Sequence, residues 1–390
     1  MRAQFDLTIA TPLSVGWYRP NILDTQSFIR PTSIKGVWRW WARAFVGGVL
    51  YERGCLRARR GKLVFLEPDL DVVRRISQIT GKVLGLGYAG GGDASASRFR
   101  IVVRVLGRPY IGSVTRASRY VEYGYGKRAE FQRFNLLSLS DKVEYALGGR
   151  FRLEISGRGV DSKIFTLGLQ MLAVALTLSG LGKGSRKGLG SLDMTWSDFL
   201  PRTSVGKLIE EVRASLENLI TDRCGGPQRE LPPMPVVTKA SLDMRLASVY
   251  RVVGLDAPSL HNFFLRPQRA RVTVGSPKGQ DELRRRLEAW VLGLPREQRG
   301  TGYIAEVDRR ASTFMVAYHG QGHWFNSSGE AGGYLTVLVS GDWPTSITWS
   351  NTGERELSID AAKVISAYLT AFHEFEDYVK KMGGTIAAIW

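Results

Sequence analysis

Hydrophobic and polar positions along the first half of the chain predict a strand over 3–10, a helix near 33–47 and a strand over 98–106. A further strand over 150–157, an apolar helix over 163–180 and a closing strand within 187–196 follow. The order βαββαβ is that of a split βαβ, or ferredoxin-like (RRM-like), unit. The intervening segments, about 48–97 and 107–148, are then long insertions, rich in Arg, Gly, Ser and Tyr as exposed functional loops are. After a boundary near 198, Val205, Leu208, Ile209, Val212, Leu216 and Ile220 recur at helical spacing. A Gly/Pro-rich connector over 224–235 leads to strands expected at 270–275, 313–318 and 333–340, with helices at 281–293 and 358–381. The expected class is therefore α+β: an N-terminal ferredoxin-like domain over 1–198 and a second, degenerate one over 199–390.

The segment RPTSIKGVWRWWARAF (30–45) separates two kinds of residue when wound as a helix. Lys35, Arg39 and Arg43 fall in one narrow arc, while Val37, Trp38, Trp41, Ala44 and Phe45 form the opposite apolar stripe. Trp40 lies near the border, beside Arg43. Thr32 or Ser33 is placed to cap the helix, with Pro31 just ahead. Gly36 in the first turn would let an anion approach the free N–H groups of the N-terminus. The alternative is a helix with a solvated basic face.

Charge favours the first reading. Lys and Arg number 54 against 36 Asp and Glu, a formal +18, spread along the chain rather than gathered in a tail. A broad positive surface attracts a polyanion, nucleic acid first and an anionic membrane second. The most apolar run, 164–182, is interrupted by Thr166, Gln170, Thr177 and Ser179, and reads as a core helix rather than a membrane span. The N-terminus lacks a signal-peptide pattern. Cys55 and Cys224 lie far apart and form no CxxC pair, which predicts a cytoplasmic protein without a disulfide scaffold.

Two further segments combine cations with features suited to a phosphate chain. SGLGKGSRKGLGS (179–191) sets five glycines around Lys183, Arg186 and Lys187, although it lacks GxxxxGK[ST] and connects a helix to a strand. RYVEYGYGKRAEFQRF (119–134) interleaves Tyr120, Tyr123, Tyr125, Phe131 and Phe134 with Arg119, Lys127, Arg128 and Arg133. Such interleaving suits bases stacked above a tracked backbone. The predicted RNA contacts are Arg30, Lys35, Gly36, Arg39, Arg43, Lys127, Arg128, Lys183, Arg186 and Lys187.

Candidate catalytic groups are sparse. GLGYAG (85–90) satisfies GxGxxG but has a helix-like segment before it and a strand after it, the reverse of a dinucleotide site. His319 and His323 have metal-like spacing in HGQGH, with no Cys or acidic residue nearby in sequence, and read as solvent-facing loop histidines. EPDLD (67–71) and HEFED (373–377) read as a loop and a solvated helix face. No catalytic residue, metal or cofactor is expected.

The helix carrying Ser33, Lys35, Gly36, Arg39 and Trp41, followed by the loop Ser185–Ser191, resembles the RAMP superfamily of CRISPR-associated proteins. More narrowly, it resembles the first subunit of the type III-B (Cmr) interference complex, as does DRRASTFMV (308–316). The resemblance implies tandem ferredoxin-like domains and a cytoplasmic ribonucleoprotein with other Cmr subunits as partners. It also implies a non-catalytic role near the guide RNA's 3′ region and the incoming target RNA. A RAMP-type endoribonuclease that processes CRISPR transcripts is the main rival, although the first domain contains no histidine. A DNA- or membrane-surface binder driven by charge alone is the third class.

Overall fold

Phe5, Leu7 and Ile9 point inward along strand β1 (Arg2–Leu13), while Gln4, Asp6 and Thr8 face the other way. This alternation places β1 in a sheet with one covered face. The computed structural model describes all residues except Trp17, 91–92, Tyr125, Ser140, 226–228, 265–280, 299–300, Asp308, 327–328 and 351–352. After β1 come α1 (Pro31–Glu52), β2 (Phe99–Gly107), β3 (Tyr110–Val114), and a hairpin of β4 (Tyr120–Gly124) and β5 (Lys127–Glu130). The half closes with β6 (Val143–Gly157), α2 (Ser162–Leu178) and β7 (Leu192–Ser197). The main strands stand in the order β7-β1-β6-β2, all antiparallel, with β3 adding to the start of β6. The segment 107–148 is thus partly built into the sheet rather than wholly an exposed loop.

The apolar run becomes α2, buried along almost its whole length, and no described helix is long and apolar enough to cross a membrane. Asp161 caps α2 by accepting from the Ile164 N–H. α1 starts earlier than expected: Arg30 is its N-cap, Pro31 opens the first turn, and neither Thr32 nor Ser33 makes a cap bond. Proline needs no partner for an N–H it lacks, so the start is set by backbone geometry instead. Gly36 consequently lies in the second turn, where an added Cβ would meet open space.

Helix α3 (Val205–Leu219) packs on α1 and α2. The second half then runs β8 (Ala247–Val253), α4 (Ala257–Phe263), β9 (Phe314–His319), β10 (Gly332–Leu338), α5 (Ala361–Lys381) and β11 (Thr385–Ala388). Its antiparallel sheet has the order β9-β10-β8-β11. By rank along the chain, both sheets read fourth, first, third, second. A further four-stranded sheet joins 296–298, 301–304, 346–350 and 354–358. The strand expected at 270–275 lies outside the described residues. The helix expected over 281–293 is two short pieces, Asp281–Arg285 and a 3-10 turn at Ala289–Leu292.

One apolar core runs through both halves, from Ala3 and Phe5 to Phe375 and Val379. Cys55 and Cys224, expected to stay apart, form a disulfide across 169 residues of sequence, with their Cα atoms 4.9 Å apart. Chain separation does not set spatial separation: the end of α1 turns back beneath the segment after α3, where the Cys224 N–H donates to Arg53 O at 3.2 Å.

Candidate nucleic-acid interface

The tryptophan helix meets the Gly-rich loop at its base. Trp38 and Trp41 are buried; Trp38 packs edge-on to Phe99 at 4.9 Å, and the Trp41 indole N–H donates to Ser179 Oγ at 2.6 Å. Trp40 lies under the Arg186 guanidinium, 4.7 Å from its ring centre. The loop backbone is tightly folded. Gly190 has φ +67°, and an added Cβ would come within 2.0 Å of Leu181 O, so no other residue fits that approach.

The loop is also stitched to the second sheet. The Gly188 N–H donates to Val316 O at 2.9 Å, and the Val316 N–H donates to Arg186 O at 3.1 Å. Arg186 donates to Ser312 O at 2.9 Å, and burial, then neighbouring Arg310, lowers its pKa to about 10. The loop is thus a fixed joint between the halves rather than a flexible turn.

On that joint stands a group of cations. Burial, followed by the repulsion of Arg296, Arg133 and Arg309, pushes the Lys187 ammonium down to about 7. Arg133 is held low by burial and by Arg309, and Lys183 by burial and then by Arg133. Lys183 Nζ also donates to Asn21 Oδ1. Lys187 lies 5.9 Å from the Phe264 ring centre, while Arg296 donates to Phe264 O at 2.6 Å. Among the described residues, Lys187, Arg133 and Arg309 form no ion pair with a carboxylate. Elsewhere buried cations are matched: Arg310 pairs with Asp342 at 2.8 Å, and Arg213 with Glu52 at 2.7 Å. Like charges gathered without counter-charges are the electrostatic footprint of an anion site.

His261 holds the group in place. Its ring donates from Nδ1 to Lys187 O at 2.7 Å and accepts the Arg133 N–H at Nε2, 3.1 Å away. Burial drives its pKa to about 3, so it is neutral. Neighbouring Asn262 donates to Glu130 O at 2.8 Å and accepts the Gln132 N–H at 3.1 Å. Helix α4 of the second half therefore grips the aromatic–basic segment of the first.

The other predicted contacts are dispersed. Lys35 donates to Phe99 O at 3.3 Å and Arg39 Nε to Leu86 O at 2.8 Å, and both cations of the expected ridge are half-buried. Burial, then the next cation along, lowers both pKa values. Arg43 is exposed. Arg30 pairs with buried Asp24 at 2.6 Å. Lys127 and Arg128 are exposed at the β4–β5 turn, where Arg128 lies 3.5 Å from Glu122. GLGYAG packs on Arg39, and its last three residues form a short strand, Tyr88–Gly90. Arg133 lies in the aromatic–basic segment and Arg309 ahead of β9, and neither is among the predicted contacts. What unites them is contact between halves, which no local pattern carries.

His319 and His323 are buried, not solvent-facing. The acid absent nearby in sequence comes from β7: Asp193 Oδ1 lies 2.8 Å from His319 Nδ1 and 3.8 Å from His323 Nδ1. His319 Nε2 donates to Thr177 O at 2.8 Å, His323 Nδ1 accepts the Met194 N–H at 3.2 Å, and His323 Nε2 faces Thr177 Oγ1 at 3.2 Å. Their ligand atoms all lie within 4.8 Å, as a metal site would need. The rings, however, stack at 3.9 Å with 23° between planes, and their nitrogens already face Asp193, Thr177 and the Met194 N–H. The cluster ties the first sheet to the second.

No curated protein sequence matches the chain. Among solved structures it is similar to Cmr1 from Pyrococcus furiosus, with 16% identity, a TM-score of 0.48, and coverage of 100% of this chain and 99% of that chain. It is also similar to a chain of the type III-B Cmr-beta complex bound to cognate target RNA, with 14% identity, a TM-score of 0.50, and coverage of 96% and 99%. At such identity this second likeness speaks for the fold alone. The sequence model of the RAMP superfamily matches residues 6–193. That span holds both the tryptophan helix and the Gly-rich loop, and over it the chain is similar to the RAMP superfamily.

Proposed function

We propose that this protein is a non-catalytic, RNA-binding subunit of a type III-B CRISPR effector, holding single-stranded RNA along the joint between its halves. The guide RNA's 3′ region or the target RNA is the strand, and other Cmr subunits in the cytoplasm are its partners. On this reading the two sheets of matching order are tandem ferredoxin-like units joined by the Gly-rich loop.

The observation that carries the proposal is the convergence of Lys187, Arg133 and Arg309 on that joint without carboxylate partners. Such a group costs stability unless an anion neutralises it, and a phosphodiester chain supplies evenly spaced anions. Three of the four histidines support a binding rather than a cleaving role. His261, His319 and His323 are buried with their ring nitrogens engaged by protein atoms, and none is disposed as a free acid or base at the joint.

Fluorescence anisotropy with labelled oligoadenylate tests this. Arg133→Ala/Arg309→Ala should weaken binding at every sequence and flatten the log–log salt slope by about 1.4, roughly 0.7 for each lost phosphate contact. Wild-type affinity and slope in that variant would place the RNA elsewhere. Metal-independent cleavage of a repeat-containing transcript would promote the endoribonuclease reading.

A further inference from the structure

The uncovered face of the first sheet, opposite α1 and α2, carries charges in cross-strand rows. One row sets Asp6 beside Arg152 and Arg104, and the next sets Gln4 beside Glu154 and Val102. Here cations are matched: Arg152 pairs with Asp6 at 2.8 Å and Arg104 with Glu154 at 2.6 Å. The last row breaks the rule. It sets Arg2 beside Ser156 and Arg100, with cations on both outer strands and no acid.

The flanking turns add to the excess instead of relieving it. Arg98 precedes β2 and Arg158 follows β6, and the Arg158 N–H donates to Arg98 O at 2.9 Å. Arg2, Arg98, Arg100 and Arg158 line one open cleft of about 580 Å³ together with Ser97 and Ser156, and no carboxylate lines it. Among the described residues none of the four arginines forms an ion pair; Arg98 makes only a long contact, 3.4 Å, to Gly159 O. Cations gathered at one corner with no counter-charge repel one another and raise the local positive potential. Their presence beside rows that are fully matched calls for an external anion.

We infer that this arginine cleft is a second phosphate-binding site, at the sheet corner and separate from the joint between the halves. Guanidinium forks match phosphate oxygens bidentately, and the Ser156 hydroxyl supplies a neutral donor between them. The volume accommodates a nucleotide rather than a bare ion. The ligand class is a nucleotide phosphate, carried by an RNA strand or by a free mononucleotide.

The test uses the full chain and two exposed positions, Arg100→Glu/Arg158→Glu, with far-UV circular dichroism and melting to confirm folding. Labelled oligoadenylate is titrated across salt into wild type, this variant, the Arg133→Ala/Arg309→Ala variant, and the combination. Reversal at the corner should weaken binding about fivefold or more and flatten the salt slope by about 1.4 for two contacts, in both backgrounds. Arg100→Lys/Arg158→Lys should retain most of the affinity. Competition by AMP below millimolar concentration identifies a mononucleotide ligand, and competition by oligoadenylate alone identifies the strand. Unchanged affinity and slope on charge reversal, with AMP without effect, overturn the inference. That result leaves the joint reading standing, because the Arg133/Arg309 variant is measured separately.

Discussion

Lys187 makes RNA affinity depend on pH in a defined window. Burial, with Arg296, Arg133 and Arg309 around it, brings its pKa from 10.5 down to about 7. The free protein is therefore about half protonated at this position at pH 7 and about 1% at pH 9. A bound phosphate favours the ammonium and draws its pKa back upward. Affinity should fall from pH 7 to 9 by as much as about 50-fold, or about 2.3 kcal/mol. The side chain is only half-buried, so residual water screens the effect and the fall is smaller than that limit. Stability moves the other way. The unfolded lysine keeps its proton up to pH 10.5 while the folded one releases it near 7, so wild-type stability rises with pH across this window. Lys187→Met should flatten both profiles and raise the melting temperature at pH 7, while weakening RNA binding there. The assay is anisotropy with an oligomer of A and C, whose bases do not titrate in the window, at fixed ionic strength. Parallel pH profiles for wild type and Lys187→Met would refute the reasoning.

Arg39→Ala should cost about 1–3 kcal/mol by leaving the carbonyl of buried Leu86 unpaired; urea unfolding checks this, and a neutral result would return Arg39 to a free ridge. Reduction of the Cys55–Cys224 bond releases a constraint spanning 169 residues, worth about 5 kcal/mol by chain entropy; melting with and without reductant reads it out. Asp193→Asn removes the charge that accepts from His319 at 2.8 Å and from the Gly320 N–H at 3.0 Å. The expected loss is about 3–5 kcal/mol, seen as a lowered urea midpoint for the whole chain, because the bond joins the two sheets.

The elements with strong internal periodicity were legible: β1, α1, α2 and α5 carry their own apolar pattern, and their order follows. Helix α1 was misread in its roles rather than its existence. A wheel places Lys35 and Arg39 opposite the core, but it cannot know that the Leu86 and Phe99 carbonyls return to meet them. β8 and β11 escaped notice because their neighbours, not their own alternation, define them: Val249 and Val252 are buried, and β11 pairs with β8 at the very end of the chain. The histidine cluster was hidden for the same reason, since Asp193 stands 126 residues from His319. The Gly-rich loop was legible as a phosphate-like segment through composition. That Lys187 meets Arg133 and Arg309 depends on how the halves dock, which only the assembled fold supplies.

The most direct test of the central claim is to photo-crosslink single-stranded RNA to the full chain and identify the modified peptides by mass spectrometry. Binding between the halves predicts crosslinks within 119–134, 183–190 and 309–318, lost together in Arg133→Ala/Arg309→Ala. Crosslinks confined to other surfaces, the arginine corner at Arg2 and Arg100 included, with none in those three segments, would contradict it.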